Sequence, residues 1–477
     1  MYSKKIYVTI LSAVLVITSC QKLITEPASS DANTLTTGGV VHWGSKYNDK
    51  GLAVVQTADG GYGVIGSRYD QTNQEELSMV LFDQNMDNTN EVIFGGAKAH
   101  VASALNNRAN DLQQTSDGGY IMVGSTMNTG FNYDMWVVKY GPDLTTPVWE
   151  KTISSTEYNS YTGGSVTATY NDFGNSIQQT EDGSYIVCGT IYDGDDNDIA
   201  LWKIDLNDTA DSLHLVYGEN RDDGTCTNNA TPPVAISPTI LDSTSCLQNA
   251  STNIWTRVDN GVSDVGNYAQ QTNDGGYIIV GSSFNDTTAY DIRLIKLKSD
   301  FTVEFNEIYE ISAVSSYKDD EGLFVQQTSD NGYVVVGNYG GQGEGQVFIL
   351  KTDYQGTELG RETYGSPQHP DIAACVRQTN DNGFVMVGSK YSQASTMEDV
   401  WVVKFSYDLA PEWNYTFGKE YSDFGTSINQ TADGGYIITG YSYSYPATRD
   451  KQSEVILIKL TADGIIEDKC ITCAHQN

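Results

Sequence analysis

Apolar and polar residues alternate along this chain in short blocks, and one block is written seven times. Its copies are VQTADGGYGVIG from Val55, QQTSDGGYIMVG from Gln113, QQTEDGSYIVCG from Gln178, QQTNDGGYIIVG from Gln270, QQTSDNGYVVVG from Gln326, RQTNDNGFVMVG from Arg377 and NQTADGGYIITG from Asn429. Each predicts a β-hairpin. Residues ending in Gln-Thr form one strand, Asp-Gly-Gly or Asp-Asn-Gly supplies the positive-φ positions of a tight turn, and Tyr followed by β-branched residues forms the return strand. The recurring Gln (56, 114, 179, 271, 327, 378 and 430) sits among apolar residues, so its amide needs partners, which a lattice between neighbouring repeats would supply.

A nearly continuous apolar run follows each hairpin: DMWVVKY from Asp134, DIALWKI from Asp198, DIRLIKL from Asp291, QVFILKT from Gln346, DVWVVKF from Asp399, EVILIKL from Glu454 and the weaker ELSMVLF from Glu76. Such runs predict strands covered on both faces. A turn and a fourth strand, such as EVIFG, WEKTI or NYTFG, complete the unit. Seven units of four antiparallel strands predict an all-β fold, a seven-bladed β-propeller. Successive Gln-Thr pairs lie 51 to 65 residues apart, with one gap of 92. Two segments compete to close the seventh blade: Val40-Val41-His42-Trp43 near the start, and Ile465-Ile466-Glu467 near the end.

Residues needed by the fold recur in every repeat, so chemistry is sought where the copies differ. Composition narrows that search. With 61 acidic against 27 basic residues the formal charge is −34, which excludes nucleic-acid backbones and anionic lipid surfaces as partners. Five histidines stand singly, no nucleophile elbow is present, and the glycine run at 340–345 opens no helix. No cofactor is expected.

Residues 1–19 carry Lys4, Lys5 and an apolar run from Ile6 to Ile17, and predict a secretory signal peptide too short to span a membrane. Thr18-Ser19-Cys20 resembles the lipobox of bacterial lipoproteins, with Ile17 and Ser19 departing from the common residues. The resemblance implies lipidation of Cys20 and membrane attachment through the acyl chains alone. The expected plan is a signal at 1–19, the lipidated Cys and a flexible tether at 20–38, the propeller at 39–467 with an insertion at 219–262, and a tail at 468–477.

The repeat QQTxDGGYIxxG, then DxWxxKx, then a strand ending in Tyr-Gly, is similar to the secreted β-propeller repeats of bacterial surface and periplasmic lipoproteins, those of Bacteroidetes included. The resemblance implies an exported protein at the outer membrane, periplasm or cell surface, in a family of largely unassigned function. The Thr-x-Asp-x-Gly core also resembles the Asp-box of sialidase-type propellers, but lacks its aromatic residue, and is read as shared turn chemistry.

In a four-stranded antiparallel blade the second-to-third loops and the links between blades share one face of the disc. These segments are long and varied here, which selects that face for binding. Its candidates are Tyr192, Asp193, Asp195, Asp196 and Asp198, where a tyrosine offers stacking and alternating carboxylates offer oxygen ligands to Ca²⁺. A second acidic series, Asp49, Asp172, Asp264, Asp320, Asp371 and Asp423 with Asn107 in the second blade, reads as loop caps or as a cation-holding ring at a channel mouth. Cys226 and Cys246 lie in the insertion and are expected to pair as a disulfide. Cys470 and Cys473 pair across the tail or stay free, and Cys188 and Cys375 read as buried thiols. On the opposite face, Lys139, Lys203, Lys296, Lys351, Lys404 and Lys459 are expected to pair with the hairpin Asp of their own blade.

These readings lead to a monomeric, exported binding or scaffold module for carbohydrate or an envelope protein or peptide. The alternative is a carbohydrate-active hydrolase or lyase using carboxylates of the variable face.

Overall fold

The computed structural model describes residues 33–466 except 38, 46, 70–74, 95–106, 129, 146, 155–169, 193–196, 206–213, 220–245, 251–252, 261–262, 286–287, 313–317, 341–344, 366–368, 393–396 and 445–451. Seven antiparallel sheets stand in a ring, and the fold is a seven-bladed β-propeller. Blades 1 to 7 start with the inner strands Asp49–Gln56, Asn107–Gln114, Phe173–Gln179, Asp264–Gln271, Asp320–Gln327, Ile372–Gln378 and Asp423–Gln430. Each inner strand packs against the next, and Asp423–Gln430 returns to Asp49–Gln56.

The hairpin turns form as their residues dictate. Gly60 (φ 86°) and its counterparts, or Asn331 and Asn382 (both φ 66°), take the left-handed position after the Asp. The Asp carboxylate then accepts from the turn's own Thr hydroxyl and from the N–H two residues on, as Asp117 does from Thr115 (2.5 Å) and Gly119 (3.0 Å). Second and third strands are buried almost throughout, and fourth strands alternate toward solvent, as in Val303–Tyr309. Core side chains interleave between blades: Val41, Trp43, Val54, Val64, Val80 and Leu457 form one cluster shared by blades 7 and 1.

The closing strand is the N-terminal one. Val40–Gly44 pairs antiparallel with Glu454–Leu460, so the two ends of the chain share blade 7, whereas Ile466 makes a single bridge to Leu460. Covering that edge removes the template for unwanted pairing. Asn33–Thr37, inside the stretch expected to be tether, adds a fifth strand against Val40–Gly44. Blade 3 also differs from expectation. The insertion contributes Cys246–Ala250 and Asn253–Asn260, and the latter pairs parallel with His214–Glu219.

The six expected Lys–Asp pairs all form, at Lys139–Asp117, Lys203–Asp182, Lys296–Asp274, Lys351–Asp330, Lys404–Asp381 and Lys459–Asp433. They are not the exposed pairs that are worth little. The Lys139 side chain is 2% exposed while Asp117 is 64% exposed, so a buried ammonium reaches out to a wet carboxylate.

Candidate functional site

The channel at the centre of the ring is built by the inner strands, and their geometry poses one problem. Neighbouring inner strands splay too far apart to form a ladder, so their inward backbone groups need other partners. The recurring Gln supplies one set. Gln114 accepts from the Ala58 N–H (2.8 Å), Gln179 from Ser116, Gln271 from Glu181, Gln327 from Asn273, Gln378 from Ser329, Gln430 from Asn380, and Gln56 from Ala432 (2.9 Å). The lattice expected between repeats is therefore a closed ring of seven bonds. These Gln are half-buried and not enclosed.

A second set works one layer deeper. Asn110, Asn175 and Asn267 donate to the carbonyls of Gly174, Gly266 and Gly322 at 2.7–2.8 Å, and Thr426 to that of Gly51 at 2.9 Å. Every inner strand also carries a β-bulge just after its Gly or Ala, between Gly51 and Ala53 in blade 1. The bulge aims the next side chain at the adjoining blade. Ser176 there accepts from the Ala269 N–H (3.0 Å), and Ser427 from that of Val54 (3.4 Å).

Blades 4 to 6 break this pattern. Tyr268 and Phe324 stand where Ser176 and Ser427 do, with ring centroids 3.9 Å apart. Arg377, one residue before the first-layer Gln378, stands where Gln113, Gln178, Gln270 and Gln326 do in other blades; its guanidinium lies 4.5 Å from the Phe324 ring and its Nε donates to the Ile428 carbonyl (3.4 Å). From blade 2, Asp111 accepts from the amides of Ile177 (2.9 Å) and Leu112 (2.8 Å) and feels the Arg377 charge. Burial pushes its carboxyl up to about 6 against those bonds. Aromatic rings, with Arg377 and Asp111 in electrostatic reach of each other, thus fill the middle of the channel.

The variable face opens above the plug. Three residues after the Gly that ends each hairpin block stand Tyr69, Met127, Tyr192, Phe284, Gly340, Tyr391 and Tyr443, aromatic in five of seven blades. Each of the five rings is half-buried. Ring pairs decorate this face: Tyr170 stacks on Tyr192 (3.8 Å), His369 on Tyr391 (3.6 Å, 11°), Phe424 on Tyr441 (4.8 Å), and Phe284 meets Tyr290 edge-on (5.3 Å). Tyr192, a candidate from the sequence, belongs to this crown, and its N–H donates to Asp172 (3.1 Å). Asp198, the second residue of the third strand Asn197–Ile204, is fully buried, and Asp193, Asp195 and Asp196 lie outside the described residues.

The second acidic series caps loops. Asp320 accepts from the Ile311 and Ser312 amides (2.7 and 2.8 Å) and the Ser312 hydroxyl (2.6 Å), Asp371 from the Tyr391 amide (2.9 Å), and Asp423 from the Lys419 amide (3.1 Å). All seven members are at most 2% exposed, which corrects the reading of a carboxylate ring open to a channel mouth. Among the described residues no group of three or more His, Cys, Asp or Glu is placed to hold a metal ion.

Cys188 and Cys375 are buried free thiols, as read. Cys246 opens a strand, while Cys20, Cys226, Cys470 and Cys473 lie outside the described residues. Among the described residues no helix is long and apolar enough to cross a membrane. At the rim between blades 6 and 7 the closing strand walls a cavity of about 270 Å³, lined by Val40, His42, Phe417, Asp423, Ile456 and Ile466. Burial, with a contribution from Lys419, lowers the His42 pKa to about 4.

No family model matches the chain, and no curated protein does. Solved structures resemble the chain at very low identity. A protein of unknown function from Dyadobacter fermentans is 9% identical, with 90% of this chain and 97% of that one covered and a TM-score of 0.44. The polysaccharide lyase Uly1 is 9% identical (92% and 91% covered, TM-score 0.46). An α-L-arabinofuranosidase from Fusarium graminearum is 10% identical (77% and 96% covered, TM-score 0.41).

Proposed function

We propose that this chain is an exported propeller, anchored through acyl chains on Cys20, that serves at the cell envelope as a carbohydrate-binding module using its variable face. The observation that carries the reading is the crown of half-buried aromatic rings, Tyr69, Tyr192, Phe284, Tyr391 and Tyr443, around one mouth of a plugged channel. Flat rings with polar neighbours suit the apolar faces and hydroxyls of sugars, and a rigid sheet scaffold presents them with little entropy to lose. The hydrolase or lyase alternative needs two available carboxylates with divergent pKa values. The recurring acids of this face are spent on capping loops, which favours binding over hydrolysis.

The test is a glycan array probed with the purified mature chain, with and without calcium. Specific retention of one saccharide class supports the reading. Silence on glycans together with capture by an envelope protein would replace it with a scaffold. Metabolic labelling with a radioactive fatty acid tests the anchor, which Cys20→Ser is expected to abolish.

A further inference from the structure

One position on the inner strands changes character around the ring. It follows the capping Asp or Asn, and blade by blade it holds Lys50, Arg108, Phe173, Val265, Glu321, Ile372 and Phe424. Lys50 and Arg108 are therefore neighbours in blades 1 and 2, flanked by Phe424 in blade 7 and Phe173 in blade 3. The side chains repeat that symmetry. The Lys50 ammonium lies 5.0 Å over the Tyr441 ring, which stacks on Phe424. The Arg108 guanidinium lies 4.5 Å over the Tyr133 ring, which stands 6.0 Å from Phe173.

Arg108 donates through Nε to Glu75 (2.9 Å), which fixes the plane of the guanidinium and leaves both terminal nitrogens without a partner among the described residues. Lys50 has no carboxylate partner among them either. Glu75 engages Arg108 through Nε alone, and Lys50 on the neighbouring inner strand adds a second positive charge to the same arc. In a chain of net charge −34, whose other inner-ring charge at this level is Glu321, these two cations are not needed for solubility. A planar fork held in place with free donors is the geometry that takes a carboxylate in two parallel hydrogen bonds.

We infer that the arc Phe424–Lys50–Arg108–Phe173 is a subsite for an anionic saccharide, a uronic acid whose carboxylate meets Arg108 and Lys50 while its ring lies on the flanking aromatics. This rests on the carbohydrate reading above and adds the ligand's charge and the blades that hold it.

The experiment titrates the full mature chain calorimetrically with a galacturonic acid tetramer and with the matching neutral galactose tetramer, at low and at physiological salt. The wild type is expected to prefer the acidic tetramer, more so at low salt. Arg108→Gln and Lys50→Gln are each expected to weaken that binding about tenfold and to leave the neutral tetramer unaffected. Lys50→Gln breaks no ion pair, so its effect is independent of any change in folding caused by freeing Glu75. Equal affinity for the two tetramers, indifferent to both variants, overturns the inference and leaves the carbohydrate reading standing. Binding of neither overturns the inference and leaves the carbohydrate reading to the glycan array, and binding of a polyglutamate peptide lost in the same variants assigns the arc to acidic peptides and overturns the saccharide.

Discussion

Gln56 of the first blade accepts a hydrogen bond of 2.9 Å from the Ala432 N–H of the last, 376 residues away in sequence. It is the seventh link of a ring whose other six join consecutive blades. Seam and interior interfaces are thus built alike at this layer, so Gln56→Ala and Gln327→Ala should cost similar amounts, about 1 kcal/mol each, since a half-buried donor regains water. Removing residues 33–44 strips the closing strand and should cause association through the bared edge. Urea unfolding and size-exclusion chromatography check the two.

The seam carries two titrating groups of opposite sense. Burial raises Asp49 to about 7 and lowers His42 to about 4. Stability from the Asp49 environment is present below about 4 and lost as pH rises to 7; that from His42 is present above about 6.5 and lost as pH falls to 4. The two slopes offset each other in the native chain. Asp49→Asn should leave stability falling on acidification, and His42→Gln should leave it falling on alkalinisation, by on the order of 3 kcal/mol each across the window. Parallel curves for all three chains between pH 4 and 7 would refute the assignment.

Arg377 and Asp111 attract each other across the channel plug. Arg377→Gln restores the residue of the other repeats yet leaves Asp111 without its compensating charge, and should cost about 2 kcal/mol. Adding Asp111→Ser, the side chain that blades 3 and 7 use, should recover most of that loss, a coupling that a double-mutant cycle reads directly.

Phe131 stands with φ 64° and is 73% exposed, on a loop set by the Asn128 side chain accepting from the Gly130 amide (2.8 Å). Met86, Leu144, Phe301 and Leu409 share the left-handed backbone but are 1–3% exposed, so burial offsets their strain. Phe131→Gly should therefore stabilise the fold by about 1 kcal/mol, and Phe301→Gly should destabilise it by about 3. Thermal unfolding of the pair reads both signs.

The hairpins, the blade count and the six Lys–Asp pairs were legible because they rest on local turn chemistry and on recurrence at fixed spacing. Burial of the lysines was not, since their run of apolar neighbours says nothing of where an ammonium ends. Asn33–Thr37 has no apolar alternation to reveal a strand, and the strands of the blade 3 insertion depend on an edge supplied by His214–Glu219. The plug and the cationic arc were missed for a different reason. Tyr268, Phe324 and Arg377 come from three repeats, and Lys50 and Arg108 from two, so each is an ordinary variation until neighbouring blades are superposed. Aligning the residue that follows the capping Asp or Asn in each repeat would have exposed the arc. The capping acids drew attention because they recur, and recurrence here marks what the fold needs.

The most direct test of the account is the affinity of the wild type, Tyr192→Ala and Tyr391→Ala for whichever saccharide the array retains, measured by calorimetry on chains with matched thermal unfolding. At least about a tenfold loss is expected in each variant, the usual effect of deleting a stacking ring. Unchanged affinity in both would contradict it and move the binding surface off the variable face.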